Sequence, residues 1–256
     1  MITRYACALN GQGLEDIDPA IIITDIRESA PATRAVTGET AGRDGLRLAR
    51  LKRESLSVSV DFEVREYDPA RRKAIAEAVR AWAREGWLTV GDRPEQRLWV
   101  VCDRLPTVTS SLRWTDRLTV GFTAWALPYW QAAHPATAVW AGVSGSAALT
   151  PAGTAPCRLE LEVTATAGPV DALTLSANGR TMRFEGLGLQ RGQTFALGYD
   201  EAGRRQRITA AGASALGRRT ADSADDLPLL PGPANMIALA ADNPVSATLK
   251  GRGLWM

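Results

Sequence analysis

One stretch of this sequence alternates strictly between apolar and polar side chains. Between positions 56 and 64, five apolar residues are separated by four polar ones in the order LSVSVDFEV. Successive side chains of a β-strand point to opposite faces, so this period of two predicts a strand with one buried and one wet face. It is the clearest strand prediction in the chain.

A helix is predicted directly after this strand. Asp68 can cap its first turn, and Pro69 suits the first helical position, where a backbone N–H has no helical partner. An apolar stripe with helical spacing follows, made of Ile75, Ala78, Val79 and Trp82. Gly86 is predicted to end the helix in a left-handed conformation. No other segment has a convincing helical pattern.

The rest of the first half has the β pattern, with strands predicted at residues 21–26, 87–90, 98–102 and 118–124. Residues 27–53 are polar and lack a clear period. They include the Gly-rich stretch of Arg43, Asp44 and Gly45. A segment of this length predicts a functional or mobile loop, with an irregular hairpin as the alternative. The first half is therefore expected to be α+β, with one helix packed on strands.

The pattern changes after Pro128, Tyr129 and Trp130, where an Ala-, Pro- and Thr-containing connector with His134 begins. We place a domain boundary there, giving domains at residues 1–130 and 131–256. Short strands are predicted beyond it, at residues 157–163, 173–175, 182–184, 195–199 and 207–209. Asn178-Gly179 suits a type I′ hairpin, and residues 200–203 suit a second reverse turn. These features favour an antiparallel β sandwich and a mainly β protein.

Composition narrows the classes of function. With 30 basic and 28 acidic residues spread along 256 positions, the chain lacks the concentrated basic face of a dedicated nucleic-acid binder. The start has no signal-peptide pattern and no stretch is long and apolar enough to span a membrane, so synthesis in a cytoplasm without membrane insertion is expected. Cys7, Cys102 and Cys157 are widely spaced, and we interpret them as reduced packing residues.

No residue pattern predicts catalysis, a metal or a cofactor. His134 is the single histidine and is expected to be exposed in the connector. The spacing of zinc ligands is absent. Residues 142–146 lack the G-x-S-x-G spacing of a nucleophile elbow and are predicted to form a loop. The chain is therefore expected not to be an enzyme.

Two further groups of residues lack the spacing of known ligand sites. Gly186, Gly188 and Gly192 lack the spacing of a dinucleotide fingerprint and a βαβ context. Three acids, Asp222, Asp225 and Asp226, do not match a calcium-binding loop and are expected to be solvated.

Six of the eight tryptophans fall in the first half, where they are expected to divide between the core and subunit interfaces.

The order of these features resembles the distal tail protein family of long-tailed, siphovirus-type phages. A strand, a polar stretch with Arg43-Asp44-Gly45, an alternating strand and one helix follow one another as in that family. The Pro128-Tyr129-Trp130 segment matches its proline-aromatic signature at the domain junction. Pro231, Gly232 and Asn235 are similar to its late Pro-Gly-x-Asn turn, from which Pro233-Ala234 departs as an insertion.

The resemblance implies a ring-forming N-terminal domain, a β barrel or bent sheet with one packed helix, related to tail-tube proteins. It also implies an outward, galectin-like C-terminal β sandwich. Six copies would form a ring that joins the tail tube to tip, hub or receptor-binding proteins at the distal end of the virion tail. Phage DNA would pass through the lumen without specific binding. No cofactor is implied.

Three alternatives stay open. A carbohydrate-binding module would use exposed aromatic rings such as Trp140 to bind host-surface glycan. A tail-associated hydrolase would need a cleft with perturbed acids or a nucleophile and its base. A related tail-tip or tube component would differ from the distal ring protein in geometry alone.

Overall fold

A computed structural model describes residues 5–31, 33–39, 46–108, 115–200, 203 and 205–256, without the side chains of residues 39, 46–51, 115 and 116. The chain divides into two compact units, Met1–Trp130 and Gln131–Met256. The fold is mainly β, as predicted, with one α-helix in the described residues.

The first unit contains helix α1 (Pro69–Trp82). Its strands are β1 (Cys7–Leu9), β2 (Gln12–Gly13), β3 (Ile21–Glu28), β4 (Thr33–Glu39), β5 (Leu46–Arg53), β6 (Leu56–Arg65), β7 (Gly86–Val90), β8 (Gln96–Arg104), β9 (Thr115–Ala124) and β10 (Trp130–Ala132), the last of which extends past the unit boundary. Its main sheet is antiparallel with the order β2-β1-β7-β8-β9-β6-β3. The strands predicted in this half are all present.

Strand β6 has the alternating burial that its sequence predicts. Its apolar residues are at most 1% exposed, whereas Ser57, Ser59, Asp61 and Glu63 lie on the opposite face. The buried face packs toward α1, where the rings of Trp82 and Phe122 meet edge to face with centroids 5.8 Å apart. The indole N–H of Trp82 donates to the Gln12 carbonyl at 3.0 Å. The core of this unit therefore lies between the helix and one sheet face.

The start of α1 was predicted correctly, because the Asp68 carboxylate accepts from the Ala70 N–H and Pro69 is the first helical residue. The buried stripe differs from the prediction. Ala78 is exposed, while Ala76 and Arg72 are buried on the same face as Ile75 and Val79. Arg72 is accommodated because its guanidinium donates to the Glu66 carbonyl at 2.7 Å.

The prediction that Gly86 ends the helix was wrong. The helix ends at Trp82, and Gly86 begins β7 without a positive φ. Glycine is needed there because a β-carbon at Gly86 would collide with the side chain of Asn10. Asn10 itself has a φ of 52°, and its side-chain oxygen Oδ1 accepts from the Trp87 N–H at 2.9 Å. A tertiary contact, rather than a helix cap, explains this glycine.

Strands β4 and β5 form a separate two-stranded ribbon. A register shift between Val36 and Thr37 makes it irregular. The described part of residues 27–53 is therefore the hairpin alternative rather than a loop. Arg43, Asp44 and Gly45 lie outside the described residues.

The second unit consists of a bent antiparallel sheet system. Its strands are β11 (Ala136–Leu149), β12 (Cys157–Ala165), β13 (Leu173–Ala177), β14 (Arg180–Phe184), β15 (Thr194–Tyr199), β16 (Gln206–Ala210), β17 (Ala213–Ser214), β18 (Pro228–Leu229), β19 (Asn235–Gly251) and β20 (Leu254–Trp255), with a 3-10 turn at Leu216–Arg218. The order is β14-β13-β19-β12-β15-β16-β17, and β11 pairs with the other edge of β19. All five strands predicted in this half are present.

The long strand β19 makes the two layers of this unit. Its first part pairs with β13 and its second part with β12, and the partner changes across residues 242–244. Pro244 suits this corner because it has no N–H to contribute to a ladder. The two layers enclose a core in which the rings of Phe184 and Phe195 lie 4.8 Å apart. This is the arrangement of a β sandwich with a shared corner strand.

Residues 142–146 do not form the predicted loop, because they lie inside β11. The segment consists of Gly and Ser with one Val and has no apolar alternation, so its strand character comes from pairing with β19. The Asn178-Gly179 hairpin was predicted correctly. Both residues have positive φ, at 49° and 75°, and Ala177 pairs with Arg180. Gly203 donates its N–H to the Asp200 carbonyl at 2.7 Å, as the second predicted turn requires.

Candidate interaction surfaces

The sheet face of the first unit opposite the helix carries an aromatic cluster. Trp87 and Trp99 are directly paired across β7 and β8, with ring centroids 5.1 Å apart and an interplanar angle of 78°. The Arg97 guanidinium lies 3.9 Å from the Trp87 ring centroid. The Trp99 indole N–H donates to the Glu85 carboxylate at 3.1 Å. Partly exposed tryptophans with an arginine are typical of protein–protein contacts.

The opposite end of the same face is charged and internally paired. Asp61 accepts hydrogen bonds from Arg27 and from the Thr119 hydroxyl. Glu63 accepts from Arg117 at 3.0 Å. Arg27 and Arg117 are therefore each paired with a carboxylate of the same face, although both guanidinium side chains are largely exposed.

A hydroxyl network joins the two ends. The Thr123 hydroxyl donates to the Asp103 carboxylate and lies 3.0 Å from the Ser57 hydroxyl. Thr123 is only 2% exposed, although it belongs to the wet face. These bonds fix β6, β8 and β9 to one another on the side that has no helix.

The Pro128-Tyr129-Trp130 segment is held by cations of its own unit. Trp130 is 1% exposed, and Arg93 lies 5.1 Å from its ring centroid. Tyr129 is half-buried, with Arg53 5.3 Å from its ring centroid. Arg53 ends β5, so the base of the ribbon is fixed to this segment.

The predicted turn with Pro231 and Gly232 surrounds a buried asparagine. Gly232 has a φ of 92°, and Asn235 is 2% exposed. The Asn235 amide nitrogen donates to three carbonyls, those of Leu149, Leu230 and Pro233. Asn235 closes the turn, because both the nitrogen and the oxygen of its side-chain amide form hydrogen bonds within the protein.

The β4–β5 ribbon is strongly basic by sequence. Residues 33–53 contain six basic and two acidic residues. Arg34 has a partner in Glu54 at 3.7 Å, with both side chains largely exposed. An isolated two-stranded ribbon is only marginally stable in water. Packing of this ribbon against another surface would therefore stabilise it.

An open groove of about 390 Å³ lies on the outer face of the second unit's larger layer. Ala196 and Gly198 form its floor between Glu160 and Glu162 on one side and Arg207 on the other. Trp140 does not line it. Sequence reasoning missed this groove, because only the pairing of β12, β15 and β16 brings these residues together.

The single histidine, His134, is exposed, and the acids near residue 222 form ion pairs. Asp225 pairs with Arg219 at 3.1 Å, and Asp226 pairs with Arg180 at 2.6 Å. No group of three or more His, Cys, Asp or Glu side chains suited to a metal occurs in the described part of the chain. None of its helices is long and apolar enough to cross a membrane.

The cysteines are free, and two of them are buried. Burial raises the pKa of the Cys7 thiol from 9.0 to about 12 and that of Cys157 to about 11. Cys102 is half-buried, and burial raises its pKa as well. A raised pKa keeps a thiol protonated and unreactive at neutral pH. These residues fit the packing role predicted for them.

The whole chain is similar in structure to the SPP1 Dit (gp 19.1) protein, described as a paradigm of the hub adsorption apparatus in phages that infect Gram-positive hosts. The TM-score is 0.71 at 12% identity, over 98% of this chain and 99% of that chain. The phage p2 baseplate in its activated conformation with Sr gives a TM-score of 0.47 at 7% identity, over 91% and 90% of the two chains. No family model and no curated protein matches the sequence. The resemblance to distal tail proteins is confirmed at the level of the fold.

Proposed function

We propose that this chain is a structural protein of the tail tip of a long-tailed phage, forming a hexameric ring between the tail tube and the host-recognition apparatus. The observation that carries the proposal is the likeness in fold to the SPP1 Dit protein over 98% of the chain. A likeness of this extent includes both units and their order. The protein would then be located at the distal end of the virion tail.

The first unit is the proposed ring-forming domain, and the second is the proposed outward, galectin-like domain. A six-fold ring needs one surface that contacts a different surface of the next copy, repeated until the ring closes. The Trp87–Trp99 cluster is suited to such a contact, because aromatic rings backed by an arginine are enriched where interfaces are buried. Its partner surface on the next copy is expected to carry acidic or apolar residues.

The β4–β5 ribbon is the second proposed contact. Its six basic residues and its separation from both main sheets favour a role in reaching a neighbouring subunit or the tail tube, with Arg43, Asp44 and Gly45 as candidate contact residues. Deleting residues 36–48 is expected to abolish ring formation while the rest of the chain folds. Circular dichroism and thermal unfolding would establish the folding of this variant. Rings that persist after the deletion would contradict the role given to the ribbon.

A lumen for DNA requires a surface that does not hold phosphate. At the charged end of the first unit's sheet face, the pairing of Arg27 with Asp61 and of Arg117 with Glu63 supports this requirement, because the carboxylates offset the positive charge of these two arginines. Firm binding of duplex DNA at physiological salt, with the steep salt dependence of phosphate contacts, would contradict passage without specific binding.

The proposed role is assembly and mechanical coupling rather than turnover. Hydrolase activity is tested by zymography on cell-wall and polysaccharide substrates, where a clear zone would contradict a purely structural protein.

The groove between Glu162 and Arg207 favours a second candidate function, binding of host-surface glycan. A glycan array tests it, and signals lost on Arg207→Ala but kept on Trp140→Ala would place the sugar in this groove.

The central experiment is the solution mass by light scattering, with negative-stain images of the same fractions. Six chains of 27.4 kDa give about 164 kDa. A six-fold ring with an open centre is the expected result. A chain that remains single both alone and with tail-tube and hub proteins would overturn the ring.

A further inference from the structure

The floor of the groove in the second unit is bare. It is formed by Ala196 and Gly198 of β15, which face outward because Phe195 and Leu197 of the same strand are buried. A β-carbon at Gly198 would meet no atom within 4 Å, so the space above the strand is open. Side chains this small allow a ligand to approach the backbone of β15 closely.

Polar side chains flank this floor on both neighbouring strands. Glu162 of β12 lies opposite Ala196, and Thr209 of β16 lies opposite Ala196 on the other side. Arg207 of β16 lies opposite Gly198 in the next row of outward-facing residues. Neighbouring strands are about 4.8 Å apart, so the backbones of β12 and β16 are about 10 Å apart across β15. This width accommodates one six-membered sugar ring over β15, with polar contacts on both sides.

The charges that line the groove cancel. They are two carboxylates and two cations, those of Glu160, Glu162, Arg207 and Lys250. Glu162 and Lys250 lie 3.8 Å apart, and Glu160 is the direct cross-strand neighbour of Lys250. A lining with no net charge attracts neither an anionic nor a cationic ligand over a neutral one. Hydroxyl groups suit this lining, because each can donate to a carboxylate and accept from a guanidinium or an ammonium group.

The size of the groove limits the ligand further. Its volume of about 390 Å³ is near the lower end of the range of about 300–1,000 Å³ that is typical of small-molecule sites, and it holds about two sugar rings. Tyr199, the aromatic residue of the lining, is half-buried, and the Arg158 guanidinium lies 5.0 Å from its ring centroid. Recognition in this groove therefore depends on hydrogen bonds to hydroxyl groups more than on stacking against an aromatic ring.

We propose that the groove binds a neutral disaccharide unit of a host-surface glycan. One sugar ring lies over Ala196 and Gly198, where its hydroxyl groups donate to Glu162 and accept from Arg207. The inference rests on glycan binding, named above as the second candidate function, and specifies its ligand; it does not depend on the hexameric ring. An open groove without an aromatic platform binds a single disaccharide weakly, with a dissociation constant of about 1 mM.

The test uses the whole chain and an array of immobilised oligosaccharides that are neutral, anionic through uronic acids, or cationic through free amines. Binding to neutral members of the array alone is expected. Saturation-transfer NMR with the matching free disaccharide then measures binding at a single site, because this method detects ligands that bind weakly and exchange fast.

Gly198→Val fills the floor of the groove. The fold is expected to be retained, because valine favours strands and its β-carbon would meet no atom within 4 Å. The affinity for the neutral disaccharide is expected to fall at least about tenfold. Gly217→Val is the matched control, the same change at an exposed glycine of the same unit where a β-carbon also meets no atom within 4 Å. It should bind the disaccharide as the parent does.

The double variant Glu160→Gln/Glu162→Gln tests the charge balance. It keeps the size of both side chains and leaves Arg207 and Lys250 without a carboxylate in the lining. A gain in binding of anionic disaccharides, which decreases as the salt concentration rises, is expected. No gain in this variant would contradict the argument that a cancelled charge selects a neutral ligand.

The possible failures are distinguishable. No binding to any glycan would overturn both the second candidate function and this inference. A preference for charged glycans, or neutral binding that Gly198→Val leaves intact, would overturn the inference alone and assign the glycan to another surface. Light scattering of Gly198→Val tests the ring separately, because a mass of about 164 kDa in parent and variant alike would support the ring whether or not sugar binds.

Discussion

Asn178 and Asn235 are 57 positions apart in the chain, yet the Asn178 amide nitrogen donates to the Asn235 amide oxygen at 2.8 Å. Asn178 begins the hairpin turn between β13 and β14, and Asn235 follows the turn with Gly232. The same Asn235 oxygen also accepts from the Leu230 N–H at 2.7 Å. Two turn motifs, recognised separately in the sequence, are therefore one structural unit.

Replacing Asn235 with Ala is expected to destabilise the protein by about 2–4 kcal/mol, because the buried Leu149 carbonyl and the partly buried groups of Asn178 and Leu230 would lose their partner. Guanidinium unfolding measured by circular dichroism gives the free energy. Asn243→Ala is the control. Asn243 makes one surface bond, to the Pro169 carbonyl, and is expected to cost less than about 1 kcal/mol. Equal losses in the two variants would contradict the role of Asn235.

Gly145→Ala is expected to displace Trp140 from the surface of β11. A β-carbon at Gly145 would lie 2.6 Å from the Trp140 indole nitrogen, closer than atoms in contact allow. We expect a loss of about 1–3 kcal/mol and a shift in tryptophan fluorescence. Gly198→Ala is the matched control, since a β-carbon there would meet no atom within 4 Å. An unchanged thermal midpoint in Gly145→Ala would show that the ring does not rest there.

Thr123→Val tests the hydroxyl network of the first unit. Valine keeps the shape of the side chain but removes the hydroxyl that donates to Asp103. A loss of about 1–3 kcal/mol is expected, because the bond to a charged acceptor is partly buried. Thr137→Val on the exposed β11 strand is the control and should lie within about 0.5 kcal/mol of the parent. A Thr123→Val variant as stable as its parent would show that the hydroxyl network does not stabilise this sheet.

Cys7 should make stability decrease with pH in alkaline solution. Its folded pKa of about 12 lies above the ordinary 9.0, so the folded state keeps the proton longer than the unfolded state. The contribution is fully present below pH 9 and is lost as the pH rises toward 12. Comparing unfolding of the parent and Cys7→Ala from pH 8 to 10.5 measures it. The parent should lose stability relative to the variant above pH 9, by at most about 1.4 kcal/mol per pH unit. Parallel curves would contradict the burial of this thiol.

Local patterns in the sequence determined much of the secondary structure. The alternation at residues 56–64 predicted β6, and Asp68-Pro69 predicted the start of α1, because each signal is completed within a few residues. Asn178-Gly179 predicted its hairpin for the same reason, since two positive φ angles are required at adjacent positions. In these segments the interactions that determine the local structure are made between residues that are close in sequence.

Tertiary structure alone decided the features whose cause lies far along the chain. Gly86 was predicted as a helix stop, but it is required by Asn10, 76 positions away, whose side chain occupies the space of a β-carbon. Residues 142–146 were predicted as a loop because they lack the G-x-S-x-G spacing of a nucleophile elbow and no helical pattern follows them. They form a strand because β19 supplies its hydrogen bonds. The groove beside Gly198 likewise exists only because three strands pair in one register. Sequence determined the local elements through short-range sterics and hydrogen bonding, whereas long-range pairing decided the edges and surfaces on which the proposed functions depend.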